Sequence, residues 1–258
     1  MENTKQVMRR LISRYDYGGV FEILEEKDLV HTDLAILADS TRYAVNFDFK
    51  TSFRILYDLS PEIKEYYLVK DLRKNLQNLI DGHPDELFSE LIDNIRFQIK
   101  NEEFIDFLGR VYRLREAIFK YIFTRKTINR KSFSLHNNAM QKRNILRILR
   151  KKYRINNGNL VYAIVVYIKK YCKDDYKVNE VSRLLTTEKL NNLIELRNSS
   201  IVGHGFIGVS INDVYKEYGN PENVLDDFNE CLKTLGFLIV DDKYRKINHL
   251  MCEMLEEL

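Results

Sequence analysis

Residues that force a chain to turn are scarce in this sequence. Ten glycines and three prolines are spread over 258 positions, so most of the chain runs in long stretches without an obligatory break. That scarcity favours helices, and the apolar spacing agrees. Val20, Phe21, Ile23 and Leu24 lead toward Leu29, Leu34, Ile36 and Leu37 at intervals that suit short amphipathic helices better than alternating strands. Leu68, Leu72, Leu76, Leu79 and Ile80 form a second helical stripe, broken by Asp81-Gly82-His83-Pro84, and Leu87 to Ile99 resumes as another helix.

Glu102 to Phe123 gives the clearest long helix, with Phe104, Leu108, Val111, Arg115, Ile118 and Ile122 along one face and Ile105 and Tyr112 widening it. A polar, basic connection over 124–138 precedes a helix of Leu, Ile and Arg that runs through Arg154 and stops at Asn156-Asn157-Gly158. Leu160 to Tyr171 is rich in Val and Ile and would also suit a strand, but its surroundings favour a helix. Thr186, Thr187 and Glu188 make a cap for a helix through Leu190, Leu193, Ile194 and Arg197. Pro221 opens a last helical region, with a short extended piece expected at Phe237 to Val240. The expected fold is therefore all-α, and 45% apolar residues suffice to close its core. A helical N-terminal domain over 1–95 is expected to precede a helical bundle over 96–258, although Asn94 to Asn101 offers no clear linker.

The net charge of +3 hides an uneven distribution. Between Glu116 and Asp174 there is no acidic residue, while the same 57 residues hold fifteen Lys and Arg. The remainder carries 41 − 15 = 26 basic against 38 acidic residues, about −12. One part of the chain thus seeks polyanions, unless its basic face pairs with acidic surfaces of the rest. Arg143, Arg147, Arg150 and Lys151 are the candidate nucleic-acid contacts within that basic stretch.

Cys172, Cys231 and Cys252 are odd in number and far apart, which suggests neither a disulfide framework nor a zinc site, and a reducing cytoplasm is the expected compartment. No metal or cofactor is expected. The longest apolar run, Leu160 to Ile168, is about half of the roughly 20 residues that span a bilayer, and residues 1–30 carry charges throughout. Neither a signal peptide nor a membrane span is expected.

The most specific chemistry lies in Glu195-Leu196-Arg197-Asn198-Ser199-Ser200-Ile201-Val202-Gly203-His204-Gly205. At about 100° per residue, seven steps place Arg197 and His204 on one helix face, about 10 Å apart along the axis; the competing reading is a plain helix C-terminus that Gly203 and Gly205 end and His204 caps. A second arginine–histidine pair, Arg130 and His136, has Lys in the next position, and its six steps turn about 600°, so its ends fall on different faces. Gly203-His204-Gly205-Phe206-Ile207-Gly208 also matches a dinucleotide-binding pattern, but that site needs a preceding strand and a following helix, which are not expected here.

The Arg197 segment resembles the active-site motif of HEPN ribonucleases: an arginine, a polar residue, a short intervening run, then histidine. Its Arg-Asn start and Ser-Ile-Val-x-His-Gly ending look most like the CRISPR-associated ribonucleases that join a ligand-sensing CARF domain to HEPN. Arg14-Tyr15-Asp16-Tyr17-Gly18-Gly19 resembles the start of the helical region that precedes HEPN in that group. The resemblance implies an all-helical homodimer with a composite active site, cutting single-stranded RNA without a metal. In that scheme Arg197 stabilises the phosphorane-like charge, His204 moves the proton, and Asn198 orients phosphate or His204. Arg115 and Glu116 are expected to form a buried or interfacial ion pair in preference to standing behind the catalytic pair.

Nothing at the N-terminus alternates strand and helix as a CARF domain does, so the sensor is expected to be missing, whether the chain is truncated, stands alone or is regulated by another route. Cyclic oligoadenylate activation would then need a separate or missing domain. A non-catalytic HEPN module that binds RNA or protein, and a HEPN toxin held by an antitoxin, remain open on the same residues.

Overall fold

In a computed structural model of the chain, residues 2–127, 140–240 and 243–258 are described. The described residues form fifteen α-helices and one 3-10 turn, with no strand among them and a single isolated bridge between Ser200 and Ile207. The helices divide into two compact units, Met1–Glu86 with Val240–Leu258, and Leu87–Ile239.

The first unit holds α1 (Glu2–Ser13), α2 (Tyr17–Glu26), α3 (Asp33–Val45), α4 (Phe49–Ile55), the 3-10 turn Leu56–Asp58, α5 (Pro61–Glu65), α6 (Tyr67–Asp81) and the C-terminal α15 (Lys243–Glu257). Short polar side chains start these helices by accepting an orphan backbone N–H. Asp16 takes that of Gly19 at 3.0 Å, Thr32 that of Ala35 at 3.3 Å and Asp48 that of Thr51 at 3.1 Å. The Arg14 to Gly19 segment is thus a helix start: a Cβ on Gly19 would sit 3.1 Å from an Asp16 carboxylate oxygen. Gly82 ends α6 at φ 77°, a left-handed conformation that glycine adopts without steric cost. Inside the unit α15 packs on α1, α3 and α6.

The second unit holds most of α7 (Pro84–Asn101), then α8 (Phe104–Thr127), α9 (Lys142–Tyr153), α10 (Leu160–Tyr171), α11 (Tyr176–Leu184), α12 (Glu188–Ser199), α13 (Ile211–Glu217) and α14 (Glu222–Leu235). The organising element is α8. Phe107, Leu108, Val111, Leu114, Ile118, Phe119, Ile122 and Phe123 are all buried along it, and α9, α10 and α12 rest against it.

Several expectations meet the structure here. Leu160–Tyr171 is a helix, started by Asn159, whose side chain accepts the Tyr162 N–H at 3.1 Å. Residues 237–240 lie in no strand. The compact units part between Glu86 and Leu87, inside the unbroken helix α7, whereas a boundary near 95 is expected from the sequence; the C-terminal helix α15 groups with the N-terminal unit. Most of the 124–138 connection, with Arg130 and His136, falls outside the described residues.

Candidate active site

Thr187 starts α12, its hydroxyl accepting the Leu190 N–H at 3.5 Å, and Leu190, Leu193 and Ile194 bury the helix face that packs on α8. Arg197, three positions beyond Ile194, lands at the edge of that contact and is half-buried. Its guanidinium carbon lies 4.7 Å from the ring centre of Tyr112 on α8, a cation–π contact, and Nη1 donates to Asn198 Oδ1 at 3.2 Å. The Arg197 Nε is buried with no hydrogen-bond partner among the described residues.

The helix does not continue to His204, so the two residues do not share a helix face as the spacing predicts. Ser199, Ser200, β-branched Ile201 and Val202, and Gly203 are a run of poor helix formers. Ser200 leaves the helix in an extended conformation (φ −91°, ψ 172°), fully buried. Its N–H and hydroxyl both donate to the Arg197 carbonyl, at 3.1 and 2.8 Å.

The chain then turns back on the end of α12. His204 N–H donates to the Asn198 carbonyl at 2.9 Å, Ile207 N–H to the Ser199 carbonyl at 3.1 Å, and Gly203 and Gly205 N–H to the Ser200 carbonyl at 2.9 and 3.3 Å. The orphan carbonyls of the last helical turn are thereby satisfied by the loop. Only glycine permits the approach: a Cβ on Gly203 would lie 2.4 Å from the Arg197 carbonyl oxygen, and one on Gly205 would lie 2.0 Å from that of Ser199. The consequence is that Arg197, Asn198 and His204 belong to one folded-back turn. The His204 side chain is exposed. Of the glycines that resemble a dinucleotide loop, Gly203 and Gly205 serve this turn and Gly208 makes no close approach; a helix, not a strand, precedes them.

Behind Arg197 stands Tyr112, which by its spacing alone only widens the apolar face of α8. Burial raises the Tyr112 hydroxyl above its ordinary pKa, and the charge and hydrogen bond of Glu116, one helical turn on, add to it. Glu116 is buried and is met by Lys120 Nζ at 2.5 Å and Arg113 Nη1 at 3.7 Å. Arg115 takes different partners, donating to the Leu185 carbonyl at 2.8 Å and to Asn191 Oδ1 at 2.7 Å, and burial lowers its pKa to about 10. The expected Arg115–Glu116 pair is therefore absent, because adjacent helical residues diverge by about 100°. Arg115 instead ties α8 to the turn that starts α12. A tyrosine four positions before a glutamate, next to the buried face of α8, is the sequence signal that marks Tyr112.

The candidate RNA contacts lie on another helix. Lys142, Arg143, Leu146, Arg147, Arg150 and Lys151 line one groove along α9, while Ile145 and Leu149 are buried on the opposite side. Arg143, Arg147, Arg150 and Lys151 are exposed and form no ion pair among the described residues. Arg143 faces Arg147, and Arg147 faces Lys151, at the four-residue spacing where like charges repel. Lys142 and Arg143 also occupy the first turn, where the helix dipole is itself positive. The structure brings Arg197, Asn198 and His204 into one turn but not this stripe: α9 packs on α8 and α10, and α12 packs on α8 and α13.

Around His204 large apolar side chains face outward. Phe206 is 94% exposed, Ile201 68% and Ile207 60%, with Ile211 and Tyr215 exposed beyond them. Among the described residues no three His, Cys, Asp or Glu side chains gather to hold a metal ion, and no helix is long and apolar enough to cross a membrane. No protein-family model matches the sequence, and the curated proteins contain no match to it.

Proposed function

We propose that the unit Leu87–Ile239 is a metal-independent endoribonuclease acting on single-stranded RNA, with Arg197, Asn198 and His204 at its active site. The observation that carries this reading is the glycine-closed turn, which holds a half-buried guanidinium and an exposed imidazole on the same short piece of backbone. In the reaction the RNA 2′-hydroxyl attacks the adjacent phosphorus while the bond to the 5′-oxygen of the next nucleotide breaks. A 2′,3′-cyclic phosphate and a 5′-hydroxyl result. Arg197, held on the Tyr112 ring, donates to the non-bridging oxygens as negative charge gathers on them. Asn198, bonded to the guanidinium, fixes its orientation. His204 moves the proton, as base toward the 2′-hydroxyl or as acid toward the leaving oxygen.

One chain contributes one such histidine, and the two proton transfers call for two. A two-fold homodimer supplies the second, since isologous contact doubles every residue. The outward-facing Ile201, Phe206, Ile207, Ile211 and Tyr215 beside the turn provide an apolar surface for that contact. The unpaired α9 stripe supplies phosphate contacts to the strand. The resemblance to CRISPR-associated ribonucleases extends the reading to an antiviral effector, with any cyclic oligoadenylate signal reaching it through another domain or protein. The same stripe also favours a second reading, a module that binds RNA without cutting it.

Incubation of unstructured RNA in excess chelator, followed by end-group mapping, separates the two. Wild type is expected to leave cyclic phosphate ends, Arg197→Ala and His204→Ala to lose at least a hundredfold in rate, and all-DNA strands to survive. Equal cutting by wild type and both variants removes the assignment, and salt-dependent binding with no turnover at any protein concentration establishes the binding module.

A further inference from the structure

Where the α9 stripe ends, an aromatic cluster begins. Tyr153 closes α9, with the Lys152 ammonium 5.4 Å from its ring centre. Its ring meets Tyr167 at 4.7 Å and Tyr171 at 5.0 Å, both edge-on, while Tyr167 and Tyr171 stack at 5.5 Å with 29° between their planes. Tyr171 is further fixed by its hydroxyl, which donates to the Tyr153 carbonyl at 3.3 Å. Tyr167 is buried, but 53% of Tyr171 and 78% of Tyr176 face solvent. The inner rings have the ordinary reason of core packing; the outer two do not.

Tyr167, Tyr171 and Tyr176 wall a cleft of about 520 Å3 between the end of α10 and the start of α11, with Lys126 and Lys177 also lining it. That volume falls in the roughly 300–1,000 Å3 range of small-molecule sites. Its two carboxylates differ. Asp175 is engaged, pairing with Lys126 and capping α11 through the Val178 N–H at 3.1 Å. Asp174 is exposed and has no partner among the described residues.

We propose that this cleft is a nucleobase pocket, taking one unstacked base of the single strand whose phosphates lie along Arg143, Arg147 and Arg150. The inference rests on the single-stranded RNA reading above and deepens it. Charge complementarity selects the ligand: the cleft adjoins a 57-residue stretch without a carboxylate. Flat exposed rings beside cations suit a strand whose bases are free to stack, whereas a duplex keeps its base faces covered and an acidic protein offers none. A free carboxylate at the lip repels phosphate but accepts the exocyclic amino groups of cytosine, adenine and guanine. Asp174 therefore admits base edges and disfavours uracil, which has no amino group.

Binding is to be read without turnover, by fluorescence anisotropy of short labelled 2′-O-methyl strands, which lack the attacking hydroxyl, at fixed salt. Tyr171→Ala and Tyr176→Ala are expected to weaken oligocytidine binding roughly tenfold, the scale of one lost stacking contact, while Tyr171→Phe keeps it within twofold. Duplex binding is expected to be unchanged, and Asp174→Ala, which removes the acceptor, to bring oligocytidine and oligouridine to equal affinity. The pocket is overturned if Tyr171→Ala, folded by circular dichroism, binds single strands like wild type, or if duplex binding falls in parallel. Cleavage of 2′-hydroxyl RNA by the same proteins tests Arg197 and His204 separately, so loss of the pocket leaves the ribonuclease reading standing.

Discussion

At the scale of single residues, the site depends on how closely two backbones can approach. Gly203 and Gly205 lie against the carbonyls that end α12, where any side chain would collide with rigid backbone. Gly205→Ala is therefore expected to open the turn and lose most of the RNA cleavage, with a fall of only a few degrees in melting temperature, on the order of 1–3 kcal/mol. Cleavage assays beside thermal melts check this; an Ala variant with full activity would show that the folded-back turn is dispensable. Tyr112 acts on Arg197 through its ring face. Tyr112→Phe is expected to keep most of the rate and Tyr112→Leu to lose roughly tenfold in kcat with little change in KM, as loss of an orienting contact predicts.

At the scale of elements, α9 carries repulsions along its basic face and in its first turn, while Arg150, Lys151 and Lys152 in its last turn suit the helix dipole. Four-residue neighbours of like sign and two cations in the first turn each disfavour the helix by a few tenths of a kcal/mol. Arg147→Glu converts the repulsions with Arg143 and Lys151 into attractions. The expected outcome is a melting temperature that rises, by up to about 1 kcal/mol of stability, together with RNA binding that falls and a shallower salt dependence. A variant that binds RNA as well as wild type would place the phosphate path elsewhere. The sequence already displayed this helix, because a repeating Leu/Ile face and a run without carboxylates are local properties. It also displayed α6 and α8, whose buried positions recur at helical spacing, whereas the nearly continuous apolar run of α10 suited a strand as well and only its surroundings favoured a helix.

At the scale of the whole molecule, two properties follow from assembly and burial. The apolar side chains around His204 are expected to drive a dimer, so Phe206→Asp should give a monomer in analytical ultracentrifugation and abolish cleavage while leaving Arg197 and His204 intact. A monomeric wild type that cuts RNA with a rate independent of concentration would contradict the composite site. The second property is alkaline fragility. Burial pushes the Cys231 thiol from 9.0 up to about 12, and burial with the Asp227 hydrogen bond pushes Tyr218 well above its ordinary value. Groups raised on folding contribute stability that is complete below their unfolded pKa and is lost as pH climbs toward the folded one. Arg115, lowered to about 10, acts in the opposite sense between about pH 10 and 12.5. Melting temperature is expected to fall from about pH 9 upward, and Cys231→Ala to flatten that fall; an unchanged slope would mean that this thiol titrates normally in the fold.

The sequence by itself determined that the chain is helical, where most helices lie, and which residues carry a basic face and an arginine–histidine motif, because periodicity, capping residues and charge are fixed by near neighbours. It misplaced the motif's shape, and it did not reveal that α15 groups with the N-terminal helices. Whether α12 runs on to His204 depends on a buried serine and two glycines meeting carbonyls from an earlier turn, and whether Arg197 rests on Tyr112 depends on the packing of α8 against α12. Those contacts join residues that only the tertiary structure brings together, so the tertiary structure alone decided the geometry of the site.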